Sequence, residues 1–365
     1  MILFLLTGYL EIAEDAFKRG DFVTALKYYN EYIKDYPYDY KGYLGRAGVY
    51  LQIGKYDSAY SDLNKVLEIN PRCVAAYINK AIYHSYKNEF DSAIVLLQKA
   101  KKISPNNYKI YLQLGAVYES KGDFTLSLLN YHRALRLNPM CYEACLSIAR
   151  LSFNAGKYKV AVRYYSKGLK LEPGYLPAYL SYGKALFYCM KFKKAINILS
   201  KYLSRNPKSV EALYYRGKSY LNCGKYKKAL KDFSRAIEIN LMYGDAYSYR
   251  GLTYAYLKDY TKALSDAEMA LKLSANRINR INFAFIKYLS EGKTDFSSIS
   301  NDTFAFEILK GWLEMKKGDF GRLRKCLKYV GKERELFCEK IFWDILHDLK
   351  KFNKKLYREY KRRLR

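Results

Sequence analysis

A chain of 365 residues, half of them apolar and only seven of them proline, can bury a substantial core and is not disordered by composition. It holds no run of about 18 apolar residues, which excludes a membrane-spanning helix. The formal net charge is +30, an excess that points to acidic or anionic partners.

From the start of the chain, the apolar "MILFLL" lacks a basic n-region and a small-residue cleavage site, and runs on into "TGYLEIAEDAF". A signal peptide is therefore not expected. Beyond it the sequence matches itself when slid by 34 residues, and does so eight times. A small residue recurs at Ala13, Ala47, Ala81, Gly115, Ala149, Gly183, Gly217 and Gly251. An aromatic recurs at Phe22, Tyr56, Phe90, Phe124, Tyr158, Phe192, Tyr226 and Tyr260, with a small residue three positions later. Proline closes the first six copies, from Pro37 to Pro207, and Leu241 and Ala275 replace it in the last two.

Each copy reads as two helical segments joined by a short turn that often carries Gly. Small residues let the two helices approach, the aromatic fills the wedge, and proline ends the second helix. One such hairpin cannot bury its apolar face alone, so neighbouring copies must stack. Fragments such as "YLQLGAVYESKGDF" (111–124) and "YRGKSYLNCGKYKKAL" (215–230) resemble the tetratricopeptide repeat (TPR) family. The resemblance covers roughly residues 6–277 and implies an all-α, right-handed superhelical solenoid of helix-turn-helix pairs. It further implies a concave groove lined by the first helix of each pair, which holds peptides or proteins without chemistry.

Three copies carry Arg46, Arg216 and Arg250 just before the small residue, and those copies alone carry Asp62, Asp232 and Asp266 sixteen residues later. This predicts a structural Arg–Asp pair between the two helices of a copy. If partly exposed, such a pair contributes only about 0–1 kcal/mol.

Past residue 277 the pattern decays. A helix, "INRINFAFIKYLSEG", and a polar stretch, "KTDFSSISNDT", precede a degenerate copy at 304–337 with Gly311, Gly318 and Phe320 in register. These make a degenerate segment over 278–337. Residues 338–365 read as one long basic amphipathic helix, with Ile341, Ile345, Leu349, Phe352, Leu356, Tyr360 and Leu364 on one face, whose inner end caps the solenoid.

The charge is uneven. Residues 1–105 carry fourteen basic and twelve acidic side chains, residues 106–277 twenty-nine and eleven, and residues 278–365 twenty-two and twelve. Early turns hold acids (Asp21, Asp57, Glu89 with Asp91, and Asp123), whereas later ones hold Lys157, Lys191 and Lys225 with further lysines beside them. Acids are the favoured choice at a helix N-terminus, and a lysine ridge there would suit an anion. The bland reading is solvated lysine, from the same AT-rich composition that supplies the many Tyr, Asn and Ile residues.

Projected onto the first helices, Arg150, Lys184 and Lys218 form one row, with Asn154, Tyr188, Tyr214 and Asn222 on the same lining. Gly48, Ile82 and Ala116 occupy the row in earlier copies. These seven residues are the candidate binding site for an extended acidic segment, charges fixing its register and amides holding its backbone. A row of solvated long side chains is the alternative. The Lys slot through which TPR chaperone-tail binders grip a C-terminal carboxylate holds Leu10, Leu44, Ile78, Leu112, Leu146, Leu180, Tyr214 and Ser248 here, so that clamp is absent.

No phosphate loop, nucleophile elbow or histidine cluster points to an enzyme, and no cofactor or small-molecule substrate is expected. The seven cysteines form no C-x-x-C pair and read as buried thiols of a reducing, cytoplasmic compartment, with no metal site. The expected partner is an acidic protein or peptide. The alternative is a nucleic-acid-associated, RNA-binding basic helical-repeat protein, with a weak contact to nucleic acid or an anionic surface made by the basic half or by the tail "KKFNKKLYREYKRRLR" (350–365).

Overall fold

The computed structural model describes residues 2–292, 303–316, 319, 321–326 and 340–364, and all regular structure among them is α-helix. Helices come in pairs: α1 and α2 (Ile2–Arg19, Phe22–Asp35), α3 and α4 (Tyr40–Gln52, Tyr56–Ile69), α5 and α6 (Val74–Tyr86, Phe90–Ile103), α7 and α8 (Tyr108–Lys121, Phe124–Leu137). Then follow α9 and α10 (Tyr142–Asn154, Tyr158–Leu171), α11 and α12 (Pro177–Tyr188, Phe192–Leu203), α13 and α14 (Val210–Asn222, Tyr226–Ile239), and α15 and α16 (Gly244–Tyr256, Tyr260–Leu273). The last elements are α17 (Arg277–Glu291), α18 (Thr303–Lys316), α19 (Gly321–Cys326), α20 (Lys340–Phe352) and α21 (Lys354–Leu364).

The turn inside each pair is made by one residue with left-handed backbone, and these residues recur every 34 positions. Five are Gly20, Gly54, Gly122, Gly156 and Gly224; Asn88, Met190 and Lys258 hold the same conformation at φ 60 to 67°. Glycine adopts it freely, whereas a side chain there costs about 1–2 kcal/mol. Asp21, Asp123 and Asp259 then cap the second helix by accepting from a backbone N–H three residues on. Lys55, Lys191 and Lys225 occupy the same position and make no side-chain cap. A lost cap of this kind costs about 1 kcal/mol. At the far end, the Tyr77, Tyr111 and Tyr179 hydroxyls donate to the carbonyls of Pro71, Pro105 and Pro173, tying each proline turn to the next helix.

The small-residue slot sets the closeness of each pair. A Cβ on Gly217 would stand 2.7 Å from the ring of Phe233, and one on Gly115 would stand 2.6 Å from the ring of Tyr131. The three Arg–Asp pairs form as the spacing predicts: Arg46, Arg216 and Arg250 each hold Asp62, Asp232 or Asp266 by two hydrogen bonds of 2.7–2.8 Å. They are not surface pairs, however, because Asp62, Asp232 and Asp266 are buried. The small value assigned to exposed pairs does not apply to them.

The chain divides into two compact units, Met1–Leu151 with Lys167–Glu172, and Ser152–Ser166 with Pro173–Arg365. Within the first, consecutive helices from α1 to α8 pack on one another, and the first helices of successive pairs also touch, α1 on α3, α3 on α5 and α5 on α7. The second repeats this with α11 on α13, α13 on α15 and α15 on α17. First helices therefore form a continuous lining in each unit.

The C-terminal part differs from the single long helix predicted. It breaks at Asn353, whose side chain caps α21 by accepting from Leu356 N–H, and the break leaves Phe352 56% exposed instead of on the apolar stripe. Ile341, Phe342, Ile345, Leu346 and Leu349 of α20 are fully buried in one cluster with Leu221 of α13 and Leu252 of α15. α20 reaches back past the last pair and packs on α13. Leu356 and Tyr360 of α21 are buried too, the Tyr360 hydroxyl donating to the Leu323 carbonyl of α19. Most of the polar stretch after α17, Gly318, Phe320 and residues 327–339 with Cys338 lie outside the described residues.

Candidate functional site

The seven lining residues predicted from the sequence lie on α9, α11 and α13, and the structure gives them unequal surroundings. Arg150 is exposed, and its guanidinium forks onto Glu119 of α7, with Nη2 2.8 Å from Oε2 and Nη1 on the other oxygen. Glu119 also accepts from the Tyr131 hydroxyl at 2.9 Å. Burial, reinforced by that carboxylate, pushes the Tyr131 hydroxyl far above its ordinary pKa, so it stays a donor. Asn154, one turn beyond Arg150 on α9, is exposed.

Lys184 of α11 is half-buried. Its ammonium sits 2.5 Å from Glu211 of α13 and lies over the rings of Phe153 and Tyr215. Tyr188, one turn on, stacks on Tyr158 at 4.6 Å, and its hydroxyl shares a 2.9 Å hydrogen bond with that of Tyr215. Burial, then the Tyr188 hydroxyl, holds Tyr215 protonated far into the alkaline range.

Lys218 does not stand in solvent. It is 5% exposed, and its ammonium faces the rings of Tyr249, Phe187, Tyr214 and Tyr215 at 4.5 to 5.7 Å. Tyr214 is buried beside it. Together they make an aromatic box that holds a cation through the faces of its rings. Asn222 donates from Nδ2 to the Lys218 carbonyl, and its enclosed Oδ1 accepts no hydrogen bond. Two counter-charges, Glu119 and Glu211, escaped the sequence reading. Their signal was there, an acid at the lining of the adjacent first helix beside each basic residue, but at spacings that cross from one copy to another.

The lysines of the later turns are a separate matter. Lys157, Lys159, Lys191, Lys193, Lys194, Lys225, Lys227 and Lys228 are all exposed. They lie at the helix-pair turns, away from the first-helix row.

α20 is the one described segment seated on a first-helix lining. The Tyr256 hydroxyl at the end of α15 donates to Asp344, Lys340 pairs with the same carboxylate and lies over the Tyr256 ring, and Trp312 Nε1 of α18 donates to Asp348 at 2.9 Å. Burial first, then Asp344, drives the Tyr256 hydroxyl well above its ordinary pKa. Among the described residues no cluster of His, Cys, Asp or Glu could hold a metal ion, and no helix is long and apolar enough to cross a membrane.

Models of the tetratricopeptide repeat match residues 10–72 and 112–175 and, separately, 210–241, and a TPR repeat model matches 84–122. No curated protein matches the chain. Among solved structures, PilW, a widely conserved type IV pilus biogenesis factor, is 20% identical over 57% of this chain and 96% of its own, with a TM-score of 0.50. YrrB, a TPR protein with an unusual peptide-binding site, is 22% identical over 50% of this chain and 94% of its own, TM-score 0.47. A thermophilic TPR protein of Thermus thermophilus is 21% identical over 50% of this chain and 98% of its own, TM-score 0.46. At 20% identity the likeness to PilW bears on the fold alone.

Proposed function

Because the chain belongs to the tetratricopeptide repeat family, we propose that it is a non-catalytic scaffold of the cytoplasm that holds an acidic segment of a partner protein against its first-helix lining. The observation that carries this reading is α20. A segment with two carboxylates already lies on the α13–α15 lining, its apolar face buried and its acids met by Tyr256 and Trp312. The same kind of surface can receive a segment from outside.

On this reading Glu119 and Glu211 hold the places of a partner's carboxylates. An incoming acid at Arg150 in the first unit, or separately at Lys184 in the second, exchanges one ion pair for another, so each charge adds specificity more than affinity. Asn154, which is exposed, supplies an amide for the partner's backbone and Tyr188 supplies a wall, while Lys218, Tyr214 and the enclosed Asn222 form a rigid floor.

The test is affinity capture from a lysate at moderate salt, with and without nuclease, using the wild-type chain and the Arg150→Glu, Lys184→Glu double variant. Proteins retained after nuclease by the wild type and lost by the double variant, with thermal unfolding unchanged, support the proposal. Retention by both variants removes the site from these residues. Loss of all bound material on nuclease treatment replaces the proposal with nucleic-acid binding through the exposed lysines.

A further inference from the structure

The seat beneath α20 has a second copy. Leu221, Tyr226, Leu252 and Tyr256 lie 170 residues, five periods of 34, after Leu51, Tyr56, Ile82 and Tyr86. The match is Leu for Leu, Tyr for Tyr, Leu for Ile and Tyr for Tyr. The geometry repeats as well: Tyr226 stacks on Tyr256 with centroids 5.6 Å apart, and Tyr56 stacks on Tyr86 at 3.6 Å. Both stacks join the start of a second helix to the end of the next first helix.

The two copies differ in what lies on them. Leu221 and Leu252 are buried in one cluster with α20. Leu51 and Ile82 are half-buried, and Tyr86 is 58% exposed. We infer that Leu51, Ile82 and the Tyr56–Tyr86 stack form a second, open seat, which takes an amphipathic helix of a partner protein that carries a carboxylate at the tyrosine. The inference rests on the scaffold reading above and gives it a second site and a helical ligand.

α20 defines the ligand. Its apolar residues fall at 341, 342, 345, 346 and 349, and Asp344 stands among them to accept from the Tyr256 hydroxyl. A carboxylate at Tyr86 would meet the same hydroxyl and, beside it, Lys87, where the covered seat has Leu257. Lys87 is partly exposed and 3.5 Å from Asp57, so its charge is shared and within reach. The chain's own α20 is committed to its own seat by five buried side chains, which leaves the open seat to another protein.

The probe is a labelled synthetic peptide with the sequence of residues 340–352, added to the full-length chain and followed by fluorescence anisotropy. Saturable binding is expected, weakened tenfold or more by Ile82→Asp and by Tyr86→Ser, and several-fold when Asp344→Asn is made in the peptide. Tyr86→Phe keeps the stack and removes the hydroxyl, so it reports on the carboxylate contact even where Tyr86→Ser lowers the melting temperature. Absence of saturable binding, or binding indifferent to Ile82→Asp and Tyr86→Ser, overturns the seat. An Asn peptide that binds as tightly as the Asp peptide overturns the carboxylate contact. Self-association of the full chain that Ile82→Asp abolishes overturns the choice of occupant in favour of a second copy. Failure here leaves capture dependent on Arg150 and Lys184 intact. Failure of that capture leaves peptide binding at Tyr86 intact.

Discussion

Arg216 of α13 grips Asp232 of α14 through two parallel hydrogen bonds, Nε to Oδ2 at 2.8 Å and Nη2 to Oδ1 at 2.7 Å. Its remaining nitrogen, Nη1, reaches Ser200 of α12 at 3.1 Å. One side chain thus ties three successive helices, and Arg250 repeats the arrangement with Asp266 and Ser234. The Asp232 side chain is 5% exposed and that of Arg216 19%. Asp232→Ala would leave the guanidinium enclosed and without its counter-charge, costing about 3 kcal/mol. Urea unfolding of the variant checks it, and a loss below about 1 kcal/mol would mean that the pair behaves as a surface pair.

Met190 turns α11 into α12 with φ 60°, in a place where five of the other turns use glycine. Met190→Gly relieves the clash of Cβ with the backbone, and the loss of chain freedom on folding offsets part of that gain. A net stabilisation of about 0.5–1 kcal/mol is expected. A thermal melt of the variant decides the sign. Gly224→Met, the reverse change, should lower the melting temperature.

Gly217 and Phe233 allow the opposite experiment. Phe233 is fully buried, and a side chain at 217 would drive into its ring. Gly217→Val should cost about 1–3 kcal/mol or more, because overpacking forces off-rotamer side chains. Pairing it with Phe233→Ala, which opens the space, should recover part of the loss in a double-mutant cycle.

Alkaline pH tests the buried acids of low acidity. Burial pushes the Cys141 thiol up to about 11, and burial pushes the hydroxyls of Tyr29 and Tyr32 up to about 12. Each group is neutral in the folded chain at a pH where the unfolded chain would ionise it. Its stabilising contribution is therefore complete below the unfolded pKa and is lost as pH rises through the folded one. Stability should fall progressively between about pH 9 and 12. Chemical unfolding followed across that range would show it. Thiol reagents at about pH 8 should label the half-buried Cys189 and Cys223 well before Cys141.

α20 gives the last test. Ile345 is 2% exposed, in one buried cluster with Leu221 and Leu252. Ile345→Asp should unseat α20 while leaving the helix pairs folded, because each pair is stabilised mainly by its neighbours. Amide exchange in residues 340–352 should speed up by several orders of magnitude, with protection in α3 to α8 unchanged. Uniform loss of protection would instead make α20 part of one cooperative core.

What could be read from the sequence was whatever repeats. The period fixed the helix pairs, the small-residue contacts and the Arg–Asp pairs, because three copies changed both partners together. The left-handed turn at Met190 was hidden in type but not in place, lying 34 residues from its glycine neighbours. The candidate site was legible in position and not in state. Lys218 is a basic residue on the lining in any register, yet four rings from three helices enclose it. Nothing local announces that. The apolar stripe of α20 was visible, but a stripe says only that something covers it. The partner, α13, lies more than a hundred residues upstream, and no periodicity links the two.

That separation has a consequence during synthesis. The contacts within a pair close over a few tens of residues, so α13 to α16 can form as soon as they leave the ribosome. The helix that covers Leu221, Leu252 and Tyr256 ends at Phe352, about 100 residues after Tyr256, which at ~5–20 residues per second is an interval of roughly 5–20 s. For that time every nascent copy carries a bare apolar seat on an otherwise formed array. A chaperone or partner helix present in the same compartment meets both seats open, and only the one built on Leu51, Ile82 and Tyr86 stays so once translation ends.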